Sequence, residues 1–176
     1  MRIFQLLRRV PLLLLLVFPF PLQRGFGSAA EAGNLRLDSS QASCSPTQKT
    51  TLKGFQSIMQ TVAEAWNDGD AGKAASCFTE DAIYSAPPSS GHHGRNELYE
   101  YFGGKQGRPS PMHMSWHNLV FDPSQQLGVG EYTFRYRIQT HGIVIVKIDR
   151  GLIKNWREYE VESSQNWEDF IGANHF

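Results

Sequence analysis

Glu158 stands two residues after Trp156 in the stretch HGIVIVKIDRGLIKNWREYE, residues 141–160. Residues two apart on a β-strand share a face, so the carboxyl and the indole would point the same way. If that face lines a cavity, the acid is desolvated against an aromatic wall. Its pKa then rises, and it can give or take a proton near neutral pH. His113 and His117 are four apart, a spacing that puts two imidazoles on one face of a helix or of a strand. No cysteine or third histidine lies near them, so a half-exposed strand start is expected there, with no metal and no cofactor. His92-His93 falls among glycines and prolines and is expected in a solvated loop at a cavity mouth. Arg135 and Arg137 alternate with aromatics and are expected on a solvated outer face, with Arg157 facing opposite Glu158. The chain has no Gly-rich phosphate loop and no nucleophile motif with a base at a fixed offset.

The elements that would position Glu158 can be read in order. Ser45-Pro46-Thr47-Gln48 has the pattern of a capping box at a helix start. Phe55, Ile58, Met59, Val62, Ala65 and Trp66 then recur at helical spacing, and Asn67-Asp68-Gly69 ends the helix. Asp70 is a cap for a second short helix over 71–78. Ala82-Ile83-Tyr84-Ser85 predicts a short strand, 87–94 a loop, and 95–102 a third helix bearing Leu98, Tyr101 and Phe102. Residues 105–111 are Gly/Pro-rich and read as loop. Strands are predicted over 112–121 and 128–140, joined by a turn at Asp122-Pro123-Ser124-Gln125. In the second, Tyr132, Phe134, Tyr136 and Ile138 fall on one face. His141-Gly142 is read as the next turn. The β-branched run Ile143-Val144-Ile145-Val146 favours a strand, Asp149-Arg150-Gly151 a tight turn, and 152–160 the return strand. Ser164 could cap a tail helix burying Trp167, Phe170 and Ile171. Helices followed by a run of antiparallel strands imply an α+β domain. The expected form is a curved antiparallel sheet shaped as a cone, with three N-terminal helices enclosing a pocket. Aromatics make 12% of the chain, and several fall on strand positions that could line that pocket.

Length and composition bound the rest. The chain has 176 residues, which suits one domain, expected over 45–176. Residues 1–30 read as a signal peptide: Arg2, Arg8 and Arg9 flank a short apolar run over 10–18, and Ser28-Ala29-Ala30 follows. The run is short for a hydrocarbon core of about 30 Å and is interrupted by prolines, so cleavage near Ala30 or Ala32 is expected rather than a membrane anchor. The product would be exported, periplasmic or extracellular. Residues 31–44 are a polar lead-in. Four of the 17 basic residues and none of the 17 acidic ones lie in 1–30, so the processed chain carries a net charge of about −4. Without a basic run, neither nucleic acid nor, after cleavage, a membrane is expected as a partner. Cys44 and Cys77 could form a disulfide in an oxidising compartment. The alternative, a loose thiol and a buried small residue, is the reading the sequence favours.

Several of these stretches together resemble a known family. They are Ala65-Trp66-Asn67-Asp68-Gly69-Asp70, Cys77-Phe78-Thr79-Glu80-Asp81-Ala82, Gly94-Arg95 opening a helix to Tyr101-Phe102, and the end from Gly151 to Tyr159. In that order, over about residues 50–162, the chain resembles the SnoaL-like branch of the nuclear-transport-factor-2-like superfamily. The resemblance implies the α+β cone. It also brings in ketosteroid isomerases, polyketide cyclases, epoxide hydrolases, dehydratases and non-catalytic pocket proteins. The isomerases' tyrosine, general base and second acid fall on Val62, Ala86 and Val144 here, and an aliphatic side chain cannot move a proton. The cyclases' histidine falls on Val144 too, while their aspartate falls near Glu158. The limonene-type epoxide hydrolases carry an acid in a tryptophan-arginine-acid run that Glu158 fits, but Arg135 and Arg137 lack the acid of the earlier arginine-acid pair.

Two functions are therefore expected, binding ahead of catalysis. One is a small, mostly apolar molecule held by Trp66, Tyr84, Tyr101, Tyr132, Phe134, Tyr136 and Trp156. The other is an enzyme of cyclase, isomerase, dehydratase or epoxide hydrolase type using Glu158 as general acid or base. A homodimer through the convex sheet face is compatible with either.

Overall fold

The structure, a computed structural model, describes residues 44, 49–88, 90–108 and 111–175. The expected signal peptide and nearly all of the lead-in lie outside the described residues, as do Ser45 and Gln48 of the expected capping box. The first helix, α1 (Leu52–Asp68), starts later than the capping-box pattern at 45–48 suggested. Thr51 is its cap, and its side chain accepts from the Gly54 N–H at 3.2 Å. Gly69, at φ 72°, closes the helix. The stripe Phe55, Met59, Val62, Ala65 and Trp66 is buried. Beside it, Asn67 grips the backbone of Met114 in both directions: the Met114 N–H donates to Oδ1 at 2.6 Å, and Nδ2 donates to the Met114 carbonyl at 3.2 Å. The α1 C-terminus is thereby fixed to the sheet.

Helix α2 (Ala71–Ser76) is capped by Asp70, as its sequence predicts, with Oδ1 accepting from the Lys73 N–H at 2.8 Å. It ends earlier than expected, because Phe78 already belongs to strand β1 (Phe78–Ala86). The Gly/Pro-rich stretch after it is not all loop: β2 (Ser90–His93) folds back antiparallel on β1. Helix α3 (Arg95–Tyr101) and a 3-10 turn (Gly104–Gln106) follow. The last strands are β3 (His113–Asp122), β4 (Leu127–Arg135), β5 (Gln139–Asp149) and β6 (Leu152–Glu162), with α4 (Trp167–Ile171) as a tail.

These strands form one curved six-stranded sheet in the order β2-β1-β6-β5-β4-β3. It is an α+β cone, but a mixed sheet rather than a wholly antiparallel one, since β1 pairs with β6 in parallel. Because β1 and β6 are far apart in sequence, helix α3 and four further strands intervene, and no local pattern signals that pairing.

Three local differences from the sequence reading bear on the site. First, the β4–β5 turn lies at 136–138, not at His141-Gly142, which sits within β5. Gly142 is needed there for close approach: a Cβ would come within 2.5 Å of Tyr132 Cζ and 2.8 Å of the Tyr159 carbonyl oxygen. Second, the β5–β6 register shifts between Lys147↔Asn155 and Ile148↔Ile153, leaving Lys154 as the extra residue of a bulge. The bulge puts both Leu152 and Ile153 in the buried class before Trp156 and Glu158 resume strict alternation. The hairpin turn itself is the expected one, with Arg150 (φ 49°) and Gly151 (φ 80°) both left-handed. Third, Cys44 and Cys77 are joined as a disulfide with Cα atoms 4.9 Å apart, which corrects the favoured reading of two unpaired cysteines. The bridge ties residue 44 to the α2–β1 junction. In the tail, Asn166 rather than Ser164 caps α4, and Trp167, Phe170 and Ile171 stay partly exposed.

Candidate functional site

Parallel pairing of β1 on β6 sets Tyr84 beside Trp156, and their rings stack with centroids 5.7 Å apart and planes 8° from parallel. The stack aims two donors at one acid. Tyr84 Oη donates to Glu158 Oε1 at 2.5 Å, and Trp156 Nε1 donates to Oε2 at 2.8 Å. From β4, Tyr132 Oη adds a longer contact to Oε2 at 3.4 Å. The cross-strand neighbour of Glu158 is Val144, which is fully buried and offers nothing polar. Glu158 itself is 8% exposed.

Burial is the largest influence on this carboxyl and pushes its pKa up from 4.5 to about 7. The hydrogen bonds from Tyr84, Trp156 and Tyr132 act the other way, and the nearby charge of Glu160 adds to the rise. The tyrosines are driven higher still. Desolvation and the facing Glu158 charge raise Tyr84 well above the usual phenol value, and Tyr132 likewise. Both phenols thus stay protonated and serve as donors, while Glu158 is the group that changes charge near neutrality.

Glu158 borders a cavity of about 80 Å³ between the sheet and the helices. Trp66 from α1, Tyr84, Tyr101, Tyr132 and Phe134 also line it. Two residues expected on the wall are elsewhere. Trp156 lies behind it, 1% exposed and packed against Trp66, Phe78 and Tyr84. Tyr136 falls in the β4–β5 turn, its ring centroid 5.5 Å from the Arg108 guanidinium. Four wall residues were not anticipated: Phe102, Arg108, Met112 and Glu160. Glu160 was legible as a neighbour of Glu158 on the same strand face. Arg108 sits in a loop without periodicity, and no sequence signal marks it. It donates to the Tyr101 carbonyl and lies over the Tyr101 ring, 5.1 Å from its centroid.

The histidines have other settings. His92 is on β2 rather than in a loop; its ring stacks on Tyr101 at 4.0 Å, and Nδ1 is 3.5 Å from Glu97 Oε1. The β3 register shifts between Trp116 and Asn118, so His117 sits at an irregularity instead of in simple alternation with His113. His117 Nε2 contacts Thr133 Oγ1 at 2.7 Å, and its ring stacks on Trp167 at 4.0 Å. Burial, with the nearby His141, lowers its pKa. Among the described residues, no group of three or more His, Cys, Asp or Glu is arranged to hold a metal. No helix among them is long and apolar enough to cross a membrane.

Val62, Ala86 and Val144, which the resemblance implies for the isomerases' polar set, are apolar in place: Val62 and Val144 are fully buried, and Ala86 closes β1. What remains among the described residues is a single buried acid, three donors on it, and a small cavity with a cationic side chain in its wall.

Residues 59–156, more than half of the chain, match the SnoaL-like domain. Glu158 lies just beyond that match. No curated protein matches the sequence. Among solved structures, an M. tuberculosis LEH-like epoxide hydrolase is similar with a TM-score of 0.55 at 18% identity, covering 63% of this chain and 84% of its own. An NTF-2-like protein from Burkholderia xenovorans has a TM-score of 0.55 at 16% identity, with 70% and 97% covered. The epoxide hydrolase/cyclase-like enzyme SalBIII, of pyran ring formation in the polyether salinomycin, has a TM-score of 0.54 at 15% identity, with 62% and 92% covered. At these identities the likeness is one of fold.

Proposed function

The chain belongs to the SnoaL-like domain family, and from that premise and the setting of Glu158 we propose that its cavity binds a small, mostly apolar molecule with Glu158 as the polar anchor. The observation that carries this reading is a buried carboxyl that borders a cavity while held by three donors. A buried acid is costly unless it is paired or used, and a concave apolar space with a few convergent polar groups is the usual form of a small-molecule site. The cavity volume of about 80 Å³ is well below the roughly 300–1,000 Å³ of drug-sized sites. The ligand is therefore compact, or enters by one end.

A second reading has its own support: a carboxyl poised at about 7 suits proton transfer. As the neutral acid Glu158 would protonate a ligand oxygen; as the carboxylate it would remove a proton. Tyr84 and Trp156 would steady whichever form carries charge. The LEH-like epoxide hydrolase and the epoxide hydrolase/cyclase-like SalBIII, two of the similar structures, are compatible with such a group, without assigning either reaction here.

Mass spectrometry of small molecules carried by the purified protein tests the binding reading. Expected is a co-purifying compound that Glu158→Gln releases or weakens by about tenfold. A protein that carries nothing and binds no small apolar probe would refute it. Export is proposed from the arginine-flanked apolar run of residues 1–30, and the intact mass of the secreted product would test it. A homodimer is proposed on the outer sheet face, where Ile143, Tyr159 and Val161 are exposed. Sedimentation equilibrium distinguishes it from a monomer.

A further inference from the structure

We propose that the ligand of this cavity carries a carboxylate, received by the N–H groups of Trp66 Nε1 and Arg108 Nε; the proposal rests on the small-molecule reading above. Both residues line the cavity. Both nitrogens are buried, and neither has a hydrogen-bond partner among the described residues. An unpaired buried donor is destabilising, so two on residues of one cavity wall call for an explanation. The Trp66 donor is not an accident of a loose surface: Trp66 is 6% exposed and packed edge-on against Phe102, Phe134 and Trp156.

The chemistry of the two donors selects the ligand group. An indole N–H and a guanidinium N–H can only donate, so the missing partner is an acceptor. An amine is excluded, and an alcohol would bring a hydrogen of its own. Arg108 also carries a full charge. Its guanidinium donates to the Tyr101 carbonyl and lies over the Tyr101 and Tyr136 rings, yet among the described residues no carboxylate is recorded in an ion pair with it. A neutral carbonyl would satisfy the hydrogen bonds and leave that charge unmatched. A carboxylate satisfies both, with one oxygen for each donor and a charge-assisted bond to the arginine.

The two acids of the wall do not fill this role. Glu158 is already engaged by Tyr84, Trp156 and Tyr132, so it is not the acceptor that the two donors lack. Glu160 is exposed and accepts from Thr140 Oγ1 at 2.9 Å. Phe102, Met112 and Phe134 offer an apolar surface for the body of the ligand, and the small volume keeps that body short.

The test is a set of matched pairs, isobutyrate against isobutyramide and benzoate against benzamide, titrated calorimetrically into the full chain, with the fluorescence of Trp66 and Trp156 as a second readout. Each acid should bind at least about tenfold tighter than its amide. Arg108→Gln should abolish that preference. Trp66→Phe, which keeps a ring and removes only the N–H, should weaken acid and amide alike. Amides that bind as tightly as acids, or a preference that survives Arg108→Gln, would overturn the carboxylate and leave the small-molecule reading in place. The wild-type comparison decides even if a variant fails to fold. If neither acids, amides nor benzene bind at all, both readings fall together.

Discussion

Replacing Glu158 by glutamine isolates the cost of its buried charge. The glutamine amide has the same outline and fits the same partners: its oxygen can accept from Trp156 Nε1, and its NH2 can donate to Tyr84 Oη. It therefore mimics the protonated acid at every pH. A rise from 4.5 in the unfolded chain to about 7 in the folded one corresponds to about 3 kcal/mol. Because the folded value is the higher, the native state holds an extra proton between those two pH values. The stabilising contribution is present in full below about pH 4.5 and is lost as pH rises through about 7. Other groups titrate as well: Asp81, Glu97 and Asp122 are lowered by hydrogen bonds and His117 by burial. Their effects are common to both proteins and cancel in the difference. Urea unfolding of wild type and Glu158→Gln across this range should give similar stabilities near about pH 4.5. The variant should then gain on wild type up to about 3 kcal/mol by about pH 8. Parallel stability curves over the whole range would refute the account, because they would mean that Glu158 ionises as freely in the fold as in water.

Tyr84→Phe removes the shortest donor on Glu158; the acid should then titrate still higher, and stability above neutral pH should fall by about 1.5–3 kcal/mol, read from the same urea series. The Cys44–Cys77 bridge spans 33 residues of sequence, so Cys44→Ala/Cys77→Ala should lower stability by about 3–4 kcal/mol on the chain-entropy account; two free thiols per chain under denaturing, non-reducing conditions would show that the bridge is absent. Gly128→Ala would put a Cβ within 2.3–2.8 Å of the Phe55 ring, which stacks on Phe121; overpacking of about 1–3 kcal/mol is expected, and a neutral thermal shift would mean that the helix rides higher on the sheet.

Periodicity carried the sequence reading as far as local chemistry reaches. The β5–β6 hairpin was legible because β-branched residues, a turn with Gly151 and an alternating return strand agree on one structure. The side-by-side setting of Trp156 and Glu158 needs only that alternation. The partners of Glu158 did not follow from it. Tyr84 reaches the acid through a parallel pairing across most of the domain, and Tyr132 through close approach to Gly142, which by composition alone reads as a turn. Arg108 and the β2 strand lie in Gly/Pro-rich stretches, where residue type marks the ends of elements but not what the backbone does between them. The Cys44–Cys77 pairing was likewise a question of distance, which spacing in sequence does not answer.

The apolar side chain of Val144 and the polar setting of Glu158 are linked by the register of the sheet. Val144 and Glu158 are direct cross-strand partners, so their side chains are neighbours on one face of the sheet. A second acid at 144 would stand beside Glu158 in a dry site, where two carboxylates cannot both ionise and one would be driven strongly upward. With valine there, Glu158 is free to take its donors from the other side, from Tyr84 and Trp156. Its pKa is then set chiefly by burial opposed by hydrogen bonds, with the charge of Glu160 adding to the rise. The chemistry such a centre can support is that of one proton and one charge. A pair of carboxylates sharing the work would need a different residue at 144, and Val144→Asp is the change that would create that competition.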